Sequence, residues 1–217
     1  MVFSSLFFLF LFLPLNLILY FSTKNIKIQN GILIVFSLLF YAWGEPMWVG
    51  LLILSSLIDY LNGLLIEKYR GKSLAKLGIV STLVFNLGIL FTFKYSDFIV
   101  ENINILFNSH FQKPGFLLPI GISFYTFQTI SYTIDVYKGE VKAQRSFWKF
   151  LLFVSLFHQL VAGPIVRYVH IANEIENRIF SLNDFSSGVT RFCKGLFKKV
   201  FFANIAGELA SQILDKD

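Results

Sequence analysis

The sequence predicts an all-α integral membrane protein, on three observations. Of its 217 residues, 55% are hydrophobic and only 15% charged, with 27 phenylalanines and a mean hydropathy of +0.65. A soluble domain of this length needs more charge to cover its surface. The apolar residues gather into runs at 2–21, 28–43, 47–66, 77–93, 116–137 and 150–166. The first four are each about 16 to 20 residues, or roughly 24 to 30 Å as helix, which approaches the hydrocarbon thickness of a bilayer. The basic residues behind the net charge of +6 lie in the connections between runs. They read as topology signals rather than as a nucleic-acid surface.

The opening run has no Lys or Arg before Lys24 and no small-residue cleavage site after it, so it is expected to stay as a transmembrane helix rather than act as a secretory signal. Lys24 and Lys27 separate runs one and two, and Lys68, Arg70, Lys72 and Lys76 separate runs three and four. The connection between runs two and three is Gly44-Glu45-Pro46, flanked by Tyr41, Trp43 and Trp48 as an aromatic belt. The positive-inside rule puts both basic connections in the cytoplasm and the amino terminus outside. Residues 94–115 follow with Phe98, Ile99, Ile103, Leu106 and Phe107 to one side, predicting an amphipathic, interfacial helix on the outer face. Run five returns inward and ends on Lys138, Lys142, Arg145 and Lys149.

Run six breaks the alternation. A simple span at 150–166 puts Arg167, Arg178, Arg191, Lys194, Lys198 and Lys199 outside, against the charge bias. Gly163-Pro164 closes the run, so a re-entrant hairpin or tilted broken helix stands beside the simple span as a reading. Phe192, Leu196, Phe197, Val200 and Phe201 interleave with the later lysines, predicting an amphipathic helix on the cytoplasmic leaflet or the start of another helix. Residues 1–217 are read as one domain.

Polar residues at membrane depth need partners. Asp59 and Asn62 share a helix face and must turn to protein or water, whether for structural pairing or for a substrate or proton role. Ser123, Gln128, Ser131, Tyr132, Thr133 and Asp135 surround run five, which is therefore an inner helix. His158 admits two readings, a general base or a histidine satisfied by backbone carbonyls at a broken helix. Arg167 can clamp a carboxylate or phosphate, or snorkel to lipid. The single cysteine, Cys193, excludes an internal disulfide. His110, His158 and His170 have no metal-ligand spacing, so no metal is expected. Gly121-Ile122-Ser123 lacks the second glycine of a nucleophile elbow, which removes a serine hydrolase.

Six segments, "MVFSSLFFLFLFLPL", "FYAWGEP", "FKYSDF", "LPIGISFYTFQTISYTIDVY", "LVAGPIVRY" and "RFCKGLFKKV", occur in an order that closely resembles the amino-terminal half of the membrane-bound O-acyltransferases, alginate O-acetyltransferase branch. The resemblance covers nearly the whole chain. It implies a multi-helix ring around a thin centre, in the bacterial inner membrane, and transfer of acetyl from acetyl-coenzyme A or an acylated carrier to hydroxyls of an exported, alginate-like polysaccharide. A histidine serves there as general base, and no metal or redox cofactor is bound. The implied partners are the bilayer, the polysaccharide acceptor, a carboxy-terminal half and other polysaccharide-acetylation proteins, with no nucleic acid.

Members of that family run to about twice this length and carry the essential histidine in a tryptophan-histidine motif of the second half. No such pair occurs here, so no catalytic residue is assigned and the chain by itself is expected to be inactive. His158 stands where the family pattern has proline, which removes a helix-breaking ring. Asp59, Asn62, Gln128, Tyr132, Asp135, His158, Gln159, Arg167 and Tyr168 are the candidate cavity-lining residues. The competing function is a non-catalytic membrane scaffold or docking subunit. Without a second half, the polar faces around Asp59 and Gln128 are expected to lie open to lipid.

Overall fold

The structure, a computed structural model, describes residues 3–160 and 163–214, and among these there is no strand. Helix α1 (Phe8–Phe21) opens with a wide π turn, Phe8–Phe12, and carries Pro14 at the second position of the α-helical stretch that follows it, Leu13–Phe21. A connection capped by Asn25, whose side chain accepts from the Lys27 N–H at 2.9 Å, starts α2 (Ile26–Gly44). Glu45 leaves helical geometry ahead of Pro46, a short 3-10 turn follows, and α3 (Val49–Lys68) returns. Next come α4 (Ser73–Phe107) and α5 (Ile122–Lys138). Three helical stretches, Ile26–Gly44, Pro46–Lys68 and Ser73–Phe107, are long and apolar enough to cross a membrane.

Two expected boundaries move. The segment expected to lie as its own interfacial helix at 94–115 instead continues α4 as far as Phe107, because no Gly or Pro interrupts the chain between Gly88 and the left-handed Asn108. At 35 residues α4 is about 52 Å long, well beyond the hydrocarbon thickness. Run five loses its first six residues to an irregular stretch, since Pro119 and Gly121, at φ +77°, delay the start of α5 until Ile122.

α3 packs on α4 and α5, and α5 also meets α4, α6 and α8, so α5 is an inner helix, as its scattered polar residues require. The α3–α5 contact is close: a Cβ on Gly63 would stand 2.8 Å from the Tyr132 ring. One end of this bundle carries the basic connections around Lys24, Lys72 and Lys142, and the opposite end carries Glu45 and residues 108–121.

Run six does not form one span. Helix α6 (Phe147–Ser155) is nine residues, about 13 Å, and stops; α7 (Phe157–Leu160) follows after a bend at Leu156, where ψ is 113°. From the basic end the chain climbs until the Leu160 carbonyl presses on Gly121, at the far end of α5. By Arg167 it is back at Asp135 and Glu140, beside the α5 carboxy terminus, and α8 (Tyr168–Glu176) packs there on α5 and α6. The segment therefore re-enters and returns to the basic end. Phe8, Phe12, Phe36 and Phe40 hold its tip by enclosing Phe157, whose ring is perpendicular to that of Phe12 at 5.5 Å.

Residues 182–214 continue as α9 (Leu182–Phe197), a second π turn (Lys198–Ala203) and α10 (Asn204–Leu214). Among Leu182–Ile213 no side chain is buried.

Gly121 and Gly139 both sit at left-handed φ, +77° and +84°. A Cβ at Gly121 would lie 2.7 Å from the Leu160 backbone oxygen, while at Gly139 the nearest atom is Arg70 Nη1, the far end of a long side chain, at 3.1 Å. Gly139→Ala should cost about 1–2 kcal/mol from backbone geometry alone, and Gly121→Ala more, because the hairpin tip must move. Thermal unfolding in detergent reads both; equal losses would contradict the contact.

Candidate functional site

The re-entrant hairpin is the candidate site because it puts irregular backbone at membrane depth, which is tolerated only inside protein or beside a cavity. Where α6 stops, its last carbonyls lose their helical donors. The Leu152 carbonyl still takes the Leu156 N–H at 3.1 Å. The Phe153 carbonyl instead accepts from two glutamines, Gln128 Nε2 of α5 at 2.9 Å and Gln159 Nε2 at 2.6 Å. The Phe157 N–H donates to Ser37 Oγ of α2 at 3.2 Å. The break thus needs no proline. The chain bends with His158 in place, because side chains from α2 and α5 take over the hydrogen bonds that the helix gives up.

His158 turns its ring edge-on against Phe157, with centroids 4.6 Å apart, and makes no hydrogen bond among the described residues. A general base needs an orienting partner within hydrogen-bond reach. The ring lines two cavities, of about 620 and 310 Å³, and Gln159 lines the smaller.

Both arms of the hairpin are fastened at the basic end. Arg167 grips Asp135 with Nε at 3.2 Å and Nη2 at 2.5 Å, and Nη2 also reaches Glu140 at 2.5 Å. The carboxylate of Asp135 is buried while the guanidinium is partly open to solvent. Hydrogen bonds and charge from Asp135 and Glu140 raise the already high pKa of Arg167. Gln144, in the connection before α6, ties α5 to α8: its N–H donates to Tyr132 Oη at 3.0 Å and its Nε2 to Tyr168 Oη at 2.8 Å and Glu176 Oε1 at 3.2 Å. Lys149 pairs with Glu176 and holds that carboxyl below the usual range, and Arg145 pairs with Glu67 of α3.

Asp59 and Asn62 lie apart from this, between α3 and α4. Asp59 is wholly buried and accepts from Asn86 Nδ2 on both carboxylate oxygens, at 2.9 and 2.8 Å; the same Nδ2 donates to the Thr82 carbonyl at 3.0 Å, while Ser55 Oγ donates to the Asn86 carbonyl at 3.2 Å. Asn62 donates to Thr82 Oγ1 at 3.0 Å and Ser81 Oγ at 3.3 Å. The expectation that the faces around Asp59 and Gln128 lie open to lipid is therefore wrong. Each is enclosed within this chain, Asp59 by α4 and Gln128 by the end of α6. Of the nine sequence candidates, Gln128 and Gln159 meet at one carbonyl, Tyr132, Asp135, Arg167 and Tyr168 gather at the basic end, and His158 faces open space. Sequence reasoning missed Asn86 and Ser37, whose signal was a lone amide and a lone hydroxyl inside apolar runs, and Gln144, which no pattern marks.

Over 94% of its length the chain is 41% identical to a probable alginate O-acetylase of Pseudomonas syringae pv. tomato. Over 97% it is 40% identical to that of Azotobacter vinelandii, and over its whole length 30% identical to a peptidoglycan O-acetyltransferase of Helicobacter pylori. Over the stretch it spans, this chain is similar to the alginate O-acetylases. It covers 40%, 43% and 47% of those three relatives, less than half of each. No family model and no solved structure matches it.

Burial gives the Asp59–Asn86 pair a measurable signature. Asn86→Leu takes the amide donor from a buried carboxyl, leaving it the hydroxyls of Thr82 and Thr129, and should lower stability by about 1–3 kcal/mol, whereas the double variant Asp59→Leu/Asn86→Leu should recover part of that loss. Unfolding midpoints in detergent test the cycle. Additive losses would show that the two residues act separately.

Proposed function

We propose that this chain forms the amino-terminal part of an O-acetyltransferase that moves an acetyl group from acetyl-coenzyme A or an acylated carrier to hydroxyls of an exported, alginate-like polysaccharide. The observation that carries it is the identity of about two residues in five to alginate O-acetylases over nearly the whole chain. In this reading the protein sits in the bacterial inner membrane with its amino terminus outside, and the basic connections face the cytoplasm. The donor approaches from that face and the acceptor from the other.

Acetyl transfer to a sugar hydroxyl needs a base for the hydroxyl proton and dipoles for the developing oxyanion. None of the three histidines follows a tryptophan, and His158 has no orienting partner among the described residues, so the base comes from elsewhere in the assembly. The residues of this chain act as scaffold for it: Gln128, Gln159 and Ser37 keep the hairpin bent at depth, and Arg167, Gln144 and Tyr168 fasten its arms. The chain spans less than half of its relatives, which fits a partner region bound against the unburied face of α9 and α10.

Acetylation of added polysaccharide in membrane vesicles tests this. Residues 1–217 alone should give no transfer, co-production with the remaining part of the Azotobacter vinelandii relative should restore it, and His158→Ala should leave the restored activity in place. Turnover by this chain alone that His158→Ala abolishes would place the base here. Stable association without transfer would make the chain a docking subunit.

A further inference from the structure

Two clefts meet at the basic end of the bundle, outside the hairpin's own hydrogen bonds. The first, about 620 Å³, is walled by Phe8, Leu13, Leu17, Phe21, Phe157 and Phe192, and its size falls in the roughly 300–1,000 Å³ range of ligand pockets. The second, about 680 Å³, is lined by Lys24, Gln29, Glu174, Arg178, Ser181 and Asp184. Tyr20, Phe21, Arg178 and Phe185 line both, so the apolar cleft runs into the charged one.

At the junction, polar groups are held in place with valences left over. Arg178 donates from Nε to the Glu174 carbonyl at 2.7 Å and from Nη1 to Tyr20 Oη at 3.2 Å, and its guanidinium stands 5.7 Å from the centre of the Tyr20 ring. Its Nη2 is enclosed with no partner among the described residues. Deeper in the aromatic cleft, Asn16 is 3% exposed and its Nδ2 likewise has no partner. Buried donors of this kind are costly unless something accepts from them. The charged cleft presents two cations, Lys24 and Arg178, and two carboxylates, Glu174 and Asp184.

We propose that the joined clefts bind one molecule of a zwitterionic aminophospholipid. An acyl chain fills the aromatic cleft, an ester carbonyl accepts from Asn16, and the phosphate takes the free Nη2 of Arg178 with Lys24 nearby. The primary ammonium donates to Glu174 and Asp184. The balanced charge selects the head group: a purely anionic head meets two unanswered carboxylates, and a quaternary ammonium has no N–H to donate. The site is independent of acetyl transfer and stands whether or not the chain is part of an enzyme.

The test reconstitutes the whole chain into vesicles of phosphatidylethanolamine, phosphatidylglycerol and phosphatidylcholine in equal parts, extracts it in mild detergent and counts retained lipid by native mass spectrometry. Phosphatidylethanolamine should be retained over both others. Arg178→Met should lower total retained lipid at least about tenfold, the ratio expected on losing one hydrogen bond to a charged group. Asp184→Asn, at an exposed helix start, should keep lipid bound while erasing the preference for phosphatidylethanolamine over phosphatidylcholine. Equal retention of the three lipids, preference for phosphatidylglycerol, or an unchanged profile in Asp184→Asn would each overturn the proposal. The last holds even if Arg178→Met does not fold.

Discussion

The carbonyl of Phe153 has lost its helical donor, and much of the bundle is arranged to supply replacements. At membrane depth no water is at hand to take an orphaned backbone group, so a bend there exists only where neighbouring helices hydrogen-bond it. Gln128 reaches it from α5 and Gln159 from beyond the bend, while Ser37 of α2 takes the Phe157 N–H. These contacts fix which faces of α2 and α5 turn toward the hairpin. They explain why a run that is apolar enough to cross the bilayer turns back instead.

The same need for internal partners accounts for the other polar residues of the interior. Asp59 is satisfied by Asn86, Asn62 by Ser81 and Thr82, and Asp135 by Arg167. These pairs join α3 to α4 and α5 to the returning arm, and so set helix orientation where apolar contact alone is weakly directional. Net stabilisation by such pairs is modest, and their effect lies more in penalising alternative packings.

Much of this was legible in the sequence. Apolar runs gave α1 to α4, and the scatter of polar residues around run five gave an inner helix, because both signals are local. Re-entry was legible only as one of two readings, from the charges after run six and the Gly163-Pro164 that closes it. The partners were not legible: Asn86 pairs with Asp59 across 27 positions and Ser37 with Phe157 across 120, and no periodicity links them. Nor did composition show that α4 continues past residue 93, since the polar residues from Lys94 onward hide a stretch with no helix breaker. His158 removes a helix-breaking ring, and the break stands without one, since hydrogen bonds from other helices maintain it.

The hairpin requires that the chain leave one end of the bundle at Phe147 and be back there by Glu176. Side-specific thiol labelling in intact and inverted vesicles tests it, with Cys193→Ser as background and Lys142→Cys, Asn177→Cys and Lys113→Cys made one at a time. Re-entry predicts that the first two react from the same side of the membrane and the third from the opposite side. Labelling of Lys142→Cys and Asn177→Cys from opposite sides would mean that run six crosses the bilayer, and would contradict the hairpin.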